Sequence, residues 1–114
     1  MGTAVSIHPP HPNDVDRKRI ERALSKRSRY RYVSPEVNTV ENGYQIRSPC
    51  CSRNIDKSGG MIDIARIEYV AALRIWCLYR KEFNPDQWLR YAEFKSLAEL
   101  LQHLNQDTER IFWQ

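Results

Sequence analysis

Three β-prone runs follow one another in the second half of the chain: Ile67-Glu68-Tyr69-Val70, Ile75-Trp76-Cys77-Leu78-Tyr79-Arg80 and Trp88-Leu89-Arg90-Tyr91. Ala71 to Arg74 joins the first two, and Asn84-Pro85-Asp86 marks a turn before the third. With these short connections the runs are expected to form an antiparallel meander. Ala65, Ile67 and Tyr69 alternate with Arg66 and Glu68, as a strand with one buried face requires. Ile75 to Lys81 is apolar on both faces and is expected to be central.

Upstream, Asn42-Gly43 separates two further β-prone runs, Val37 to Glu41 and Tyr44 to Arg47. Asn-Gly in that setting is a strong hairpin signal, because both turn positions favour positive φ. It places Val37 and Thr39 on one face with Tyr44 and Ile46, the expected core side. Tyr30 to Val33 is short and β-prone, and the polar stretch from Pro49 to Gly60 reads as a loop.

Two helices complete the chain. Asn13 or Asp14 caps the first, which is expected to run to about Arg27 with Val15, Ile20, Ala23 and Leu24 as its apolar stripe. Ser96 and Glu99 form a capping box for the second, with Leu97, Leu100, Leu101 and Leu104 at helical spacing. That helix ends near Asp107, and Ile111-Phe112-Trp113 folds back as an apolar plug. The expected fold is α+β: an antiparallel sheet of about five strands with both helices on one face. Residues 1–12 read as a flexible tail and 13–114 as a single domain.

A chain of 114 residues at 41% hydrophobic content supports one core. No run reaches the roughly 18 apolar residues of a membrane span, and Met1 to Pro12 lacks the pattern of a secretory leader. Cys50, Cys51 and Cys77 make an odd count that builds no disulfide framework. A cytoplasmic protein without membrane association is expected.

The order Ala65-Arg66-Ile67-Glu68-Tyr69, Trp76-Cys77-Leu78-Tyr79, Trp88-Leu89-Arg90-Tyr91, Leu97-Ala98-Glu99-Leu100-Leu101, Asp107 and Ile111-Phe112-Trp113 resembles a bacterial domain-of-unknown-function family catalogued under the number 3024. Arg17-Lys18-Arg19-Ile20-Glu21 leading to Leu24 is similar to that family's opening helix. The resemblance covers most of Val15 to Trp113 and departs at Ile46-Arg47-Ser48-Pro49-Cys50-Cys51. It implies a fold and brings no catalytic residues.

The residues themselves argue against catalysis. His8, His11, His103 and the cysteines show none of the paired spacings of structural zinc, so no metal and no cofactor is expected. Arg47 and Arg53 flank Cys50, but no motif links Cys50 or Cys51 to a histidine base. Phosphate loops and nucleophile elbows do not occur.

Charge and aromaticity give two binding hypotheses. Nine of the twelve aromatic residues lie between Tyr69 and Trp113. A sheet so rich in rings exposes one face to a partner or lines a groove, with Trp76, Trp88, Arg90 and Trp113 as interface residues of a homodimer or an unidentified partner protein. The alternative rests on Asp16 to Tyr32, where eight basic residues face two acids, a local balance of +6 in a chain of net charge +4. Arg19, Arg22, Lys26, Arg29 and Arg31, interleaved with Tyr30 and Tyr32, supply phosphate contacts and stacking rings for nucleic acid.

Overall fold

The computed structural model describes residues 10–26, 35–49, 61–83 and 85–113. The chain runs α1 (Asp14–Leu24), β1 (Glu36–Val40), β2 (Gly43–Pro49), β3 (Met61–Val70), β4 (Ile75–Phe83), β5 (Asp86–Phe94) and α2 (Leu97–Gln106). The strands form one antiparallel sheet in the order β1-β2-β3-β4-β5. The architecture is the α+β arrangement expected. The short β-prone run from Tyr30 to Val33 and the loop cysteines Cys50 and Cys51 lie outside the described residues.

Both helices pack on one sheet face. Ile20 and Leu24 of α1 and four leucines of α2 join Tyr44, Ile46, Ala65, Ile67, Trp76 and Leu78 in one cluster. β4 is an inner strand rather than the central one, which is β3. Its outward residue Cys77 is nonetheless buried, flanked in register by Glu68 and Glu93.

The hairpin turn sits one residue earlier than its Asn-Gly signal suggests. Val40 pairs with Gly43, so Glu41 and Asn42 form the loop and Asn42 carries the positive φ of 67°. The pairing shifts by two residues in sum, which preserves the faces: Val37 opposes Ile46 and Thr39 opposes Tyr44. Thr39 is exposed on the edge strand. Gly43 is needed for a different reason than turn geometry. A Cβ there would lie 2.1 Å from the carbonyl oxygen of Ile67 on β3.

Two bulges add core side chains that strict alternation hides. Ile46 pairs with Ala65 and Arg47 with Asp63, leaving Ile64 as an extra, buried residue. Leu78 pairs with Ala92 and Tyr79 with Arg90, so Tyr91 is the extra residue of β5 and packs against Phe112.

α1 departs from expectation at both ends of its stripe. Val15 is 69% exposed, and the buried positions are Asp16, Ile20 and Leu24. These three are four residues apart and so lie on one face, whereas Val15 sits about 100° off it. The helix stops at Leu24 instead of Arg27. No apolar residue continues the stripe beyond Leu24, and helices in proteins persist mainly where they can pack. Ser25 Oγ closes the end by donating to the Arg22 carbonyl at 2.6 Å.

α2 begins as expected, with Ser96 Oγ accepting from the Glu99 N–H at 3.1 Å. It ends at Asp107, whose buried carboxylate accepts from the N–H groups of Ile111, Phe112 and Trp113 at 2.8, 3.0 and 2.7 Å. The terminal plug is thus tied down by one side chain.

Candidate functional site

The strands and the helix side differ in how their charges are spent. Every cation on the strands has a carboxylate partner. Arg66 Nε donates to Glu68 at 2.6 Å, and Arg90 Nη1 to Glu93 at 3.2 Å. Arg80 lies 3.5 Å from Glu82. Lys81 Nζ lies between Asp86 at 2.7 Å and Asp63 at 3.3 Å, and Arg47 shares Asp63 at 3.4 Å. Burial alone would lower the Lys81 ammonium, but hydrogen bonds to Asp86 and Asp63 outweigh it and raise the group above its ordinary value.

The helix side is only partly paired. Arg17 pairs with Asp14 and Glu21, and Arg19 Nη1 donates to Asp16 at 2.7 Å. Arg22, Lys26, Arg74 and Lys95 have no carboxylate partner among the described residues.

Two depressions carry these cations, and Arg19 borders both. The first, about 360 Å³, runs between α1 and α2, with Arg19, Arg22 and Lys26 on its rim and Ala23 and Leu101 on its floor. Asn105 bridges the helices there by donating Nδ2 to the Ala23 carbonyl at 2.8 Å. Its Oδ1 is buried without a hydrogen-bond partner. The second, about 550 Å³, lies between the start of α1, the β3–β4 turn and the start of α2. Arg19, Arg74 and Lys95 rim it, and Tyr69, Trp76 and Leu97 form its wall.

A polar network fixes that wall. His11 Nδ1 is 2.9 Å from Tyr44 Oη, which also accepts from the Asn13 N–H at 3.0 Å. Asn13 Nδ2 donates to Asp16 Oδ2 at 3.1 Å, and the Asp16 N–H donates back to Asn13 Oδ1 at 2.8 Å. The His11 ring lies 4.9 Å from Tyr69 and 5.0 Å from Trp76 between centroids. Through these contacts His11 packs against the helix-covered face of the sheet. Burial pushes the Tyr44 phenol up, the Asn13 hydrogen bond opposing it.

The four residues grouped above as one aromatic interface are separated by the fold. Trp113 is 3% exposed, and its Nε1 donates to the Leu104 carbonyl at 2.9 Å, so it is core. Trp76 is 7% exposed on the helix-covered face, where it walls the larger cleft. Trp88, beneath Lys81 at 4.8 Å, and Arg90 lie on the opposite face. Strand alternation set the rings on different sides, which a sequence window rich in aromatics conceals.

Of the basic candidates, Arg19, Arg22 and Lys26 line the helix-side depressions, whereas Arg29, Tyr30, Arg31 and Tyr32 lie outside the described residues. Arg74, Lys95 and His11 had no motif to mark them; what unites them is tertiary placement. His103 packs between Tyr91 and Phe94. Burial raises the Cys77 thiol, as befits an inert core residue. No group of three or more His, Cys, Asp or Glu side chains suited to a metal ion occurs among the described residues.

No curated protein and no solved structure matches the chain. A family model, the domain of unknown function DUF3024, matches residues 8–114. That match spans nearly the whole chain, so the protein belongs to the DUF3024 family.

Proposed function

We propose that the protein is a non-catalytic binding module that holds single-stranded nucleic acid on its helix side. The observation that carries this reading is the segregation of charge: cations on the sheet are spent on carboxylates, while Arg22, Lys26, Arg74 and Lys95 are not. Cations without internal partners are the groups that gain by replacing counterions on a phosphate backbone. Arg19, itself paired with Asp16, borders both depressions, so that Arg22 and Lys26 on one and Arg74 and Lys95 on the other form one track, and Arg29, Tyr30, Arg31 and Tyr32 add charge and rings a few residues after α1 in sequence. Such a combination favours sequence-tolerant binding of unpaired strands.

Self-association through an aromatic sheet face has weaker support, because Trp76 and Trp113 face the helices and the remaining face is ion-paired. A cytoplasmic location accords with this reading, and no helix among the described residues is long and apolar enough to cross a membrane.

The test is a fluorescence-anisotropy titration of a labelled oligonucleotide at low salt, beside light scattering of the free protein. Binding by the wild type that weakens in an Arg22→Ala, Lys26→Ala double variant supports the reading. No binding at low salt, or a stable dimer that Trp88→Asp splits, overturns it.

A further inference from the structure

The larger helix-side cleft has more in it than a charged strip requires. We infer that it is a pocket for one phosphomonoester nucleotide, with the base against the Val15, Tyr69 and Trp76 side and the phosphate between Arg74 and Lys95. This rests on the nucleic-acid reading and names the unit that the cleft takes.

Size comes first. About 550 Å³ falls within the range of small-molecule sites, which are mostly apolar with a few convergent polar groups. Charge comes second. Asp16 and Arg19 neutralise each other at 2.7 Å, leaving the two positive charges of Arg74 and Lys95. A phosphate monoester carries about −1.5 to −2 at pH 7, an internal phosphodiester only one charge. The rim therefore matches a terminal or free nucleotide phosphate better than a strand interior.

Exposed apolar surface comes third. Among the described residues, Val15 at 69% and Leu73 at 67% are the large hydrophobic residues left exposed. Val15 lines it, and Leu73 precedes Arg74 in the β3–β4 turn. A ring laid over Val15 and Tyr69 covers surface that the fold leaves wet. Arg74 adds a fourth point. It sits at φ 54°, a left-handed conformation that Gly or Asn adopts more readily. The turn thus carries a long cation where a small residue fits the backbone better.

The ligand can arrive free or as the phosphorylated end of a strand. Both share the ring and monoester chemistry. The test is an amide and indole NMR titration of the full chain with AMP, adenosine and inorganic phosphate, followed by matched oligonucleotides with and without a 5′-phosphate. AMP is expected to give saturable shifts at Arg74, Lys95, Leu97 and the Trp76 indole, with adenosine and phosphate each about tenfold weaker or more. Arg74→Asn, which suits the turn, and Lys95→Gln should each weaken AMP about tenfold. A 5′-phosphate that strengthens oligonucleotide binding identifies a strand end as the source; one without effect, with AMP still bound, identifies free nucleotide.

Cleft resonances that stay silent under AMP overturn the inference, as does an affinity that both variants leave unchanged. The spectra also report whether each variant is folded. Oligonucleotide binding through Arg22 and Lys26 with a silent cleft defeats the pocket and spares the strip. AMP in the cleft without oligonucleotide binding does the opposite.

Discussion

Replacing Asp107 tests how the end of the chain is held. Its carboxylate is 5% exposed and accepts three backbone N–H bonds of 2.7 to 3.0 Å from Ile111, Phe112 and Trp113. In Asp107→Ala the N–H of Ile111, on a half-buried residue, can turn to water, but those of Phe112 and Trp113 lie in buried residues. Each buried donor left unpaired costs about 1–3 kcal/mol. Relief from burying a carboxylate offsets part of that, so the net loss is about 1–5 kcal/mol. Against the 5–15 kcal/mol that stabilises a typical domain, roughly, this is a large share. The φ of 33° at Asp107 contributes separately, since alanine is strained there. Asp107→Gly removes the strain and the carboxylate together, and Asp107→Asn keeps one oxygen acceptor and tolerates the backbone. Urea denaturation followed by tryptophan fluorescence should rank wild type above Asn, then Gly, then Ala. A glycine variant as stable as wild type would show that backbone strain, and not the carboxylate, is what the alanine variant loses. An alanine variant within about 1 kcal/mol of wild type would refute the reasoning altogether.

Other expectations follow from packing and titration. Gly43→Ala places a methyl 2.1 Å from the Ile67 carbonyl, so β2 and β3 must separate. A loss of about 2–4 kcal/mol in a denaturation series is expected, and a neutral result would deny the close approach. Stability should fall as pH rises from about 8 to 11. Tyr44, Cys77 and Lys81 all have folded pKa values raised above 10.0, 9.0 and 10.5. Each therefore stabilises the fold fully below its ordinary value and loses that contribution as pH climbs through the raised one. A flat profile over that window contradicts the buried settings described for these groups, and Tyr44→Phe should reduce the slope.

The meander was legible because its connections are short and its alternation regular: Ala65, Ile67 and Tyr69 face the core as their spacing requires. The capping box at Ser96 and the terminal plug were equally local signals. What escaped was non-local. Bulges at Ile64 and Tyr91 depend on the partner strand, and Gly43 is constrained by β3 rather than by its own turn. The cleft draws His11, Arg19, Arg74 and Lys95 from four separate stretches. The basic helix was visible as composition; which of its cations lack partners was not, since that depends on carboxylates brought near by folding.

The claim that matters most is that location of charge, not net charge, makes the binding surface. Two double variants each remove two positive charges: Arg22→Ala with Lys26→Ala on the helix side, and Arg66→Ala with Arg90→Ala on the ion-paired opposite face of the sheet. The measurement is the slope of log affinity for a single-stranded oligonucleotide against log salt. The helix-side pair is predicted to flatten the slope by about 1.4, at roughly 0.7 per phosphate contact, and the sheet pair to leave it unchanged. Equal flattening by both pairs, or none by the helix-side pair, would contradict the account.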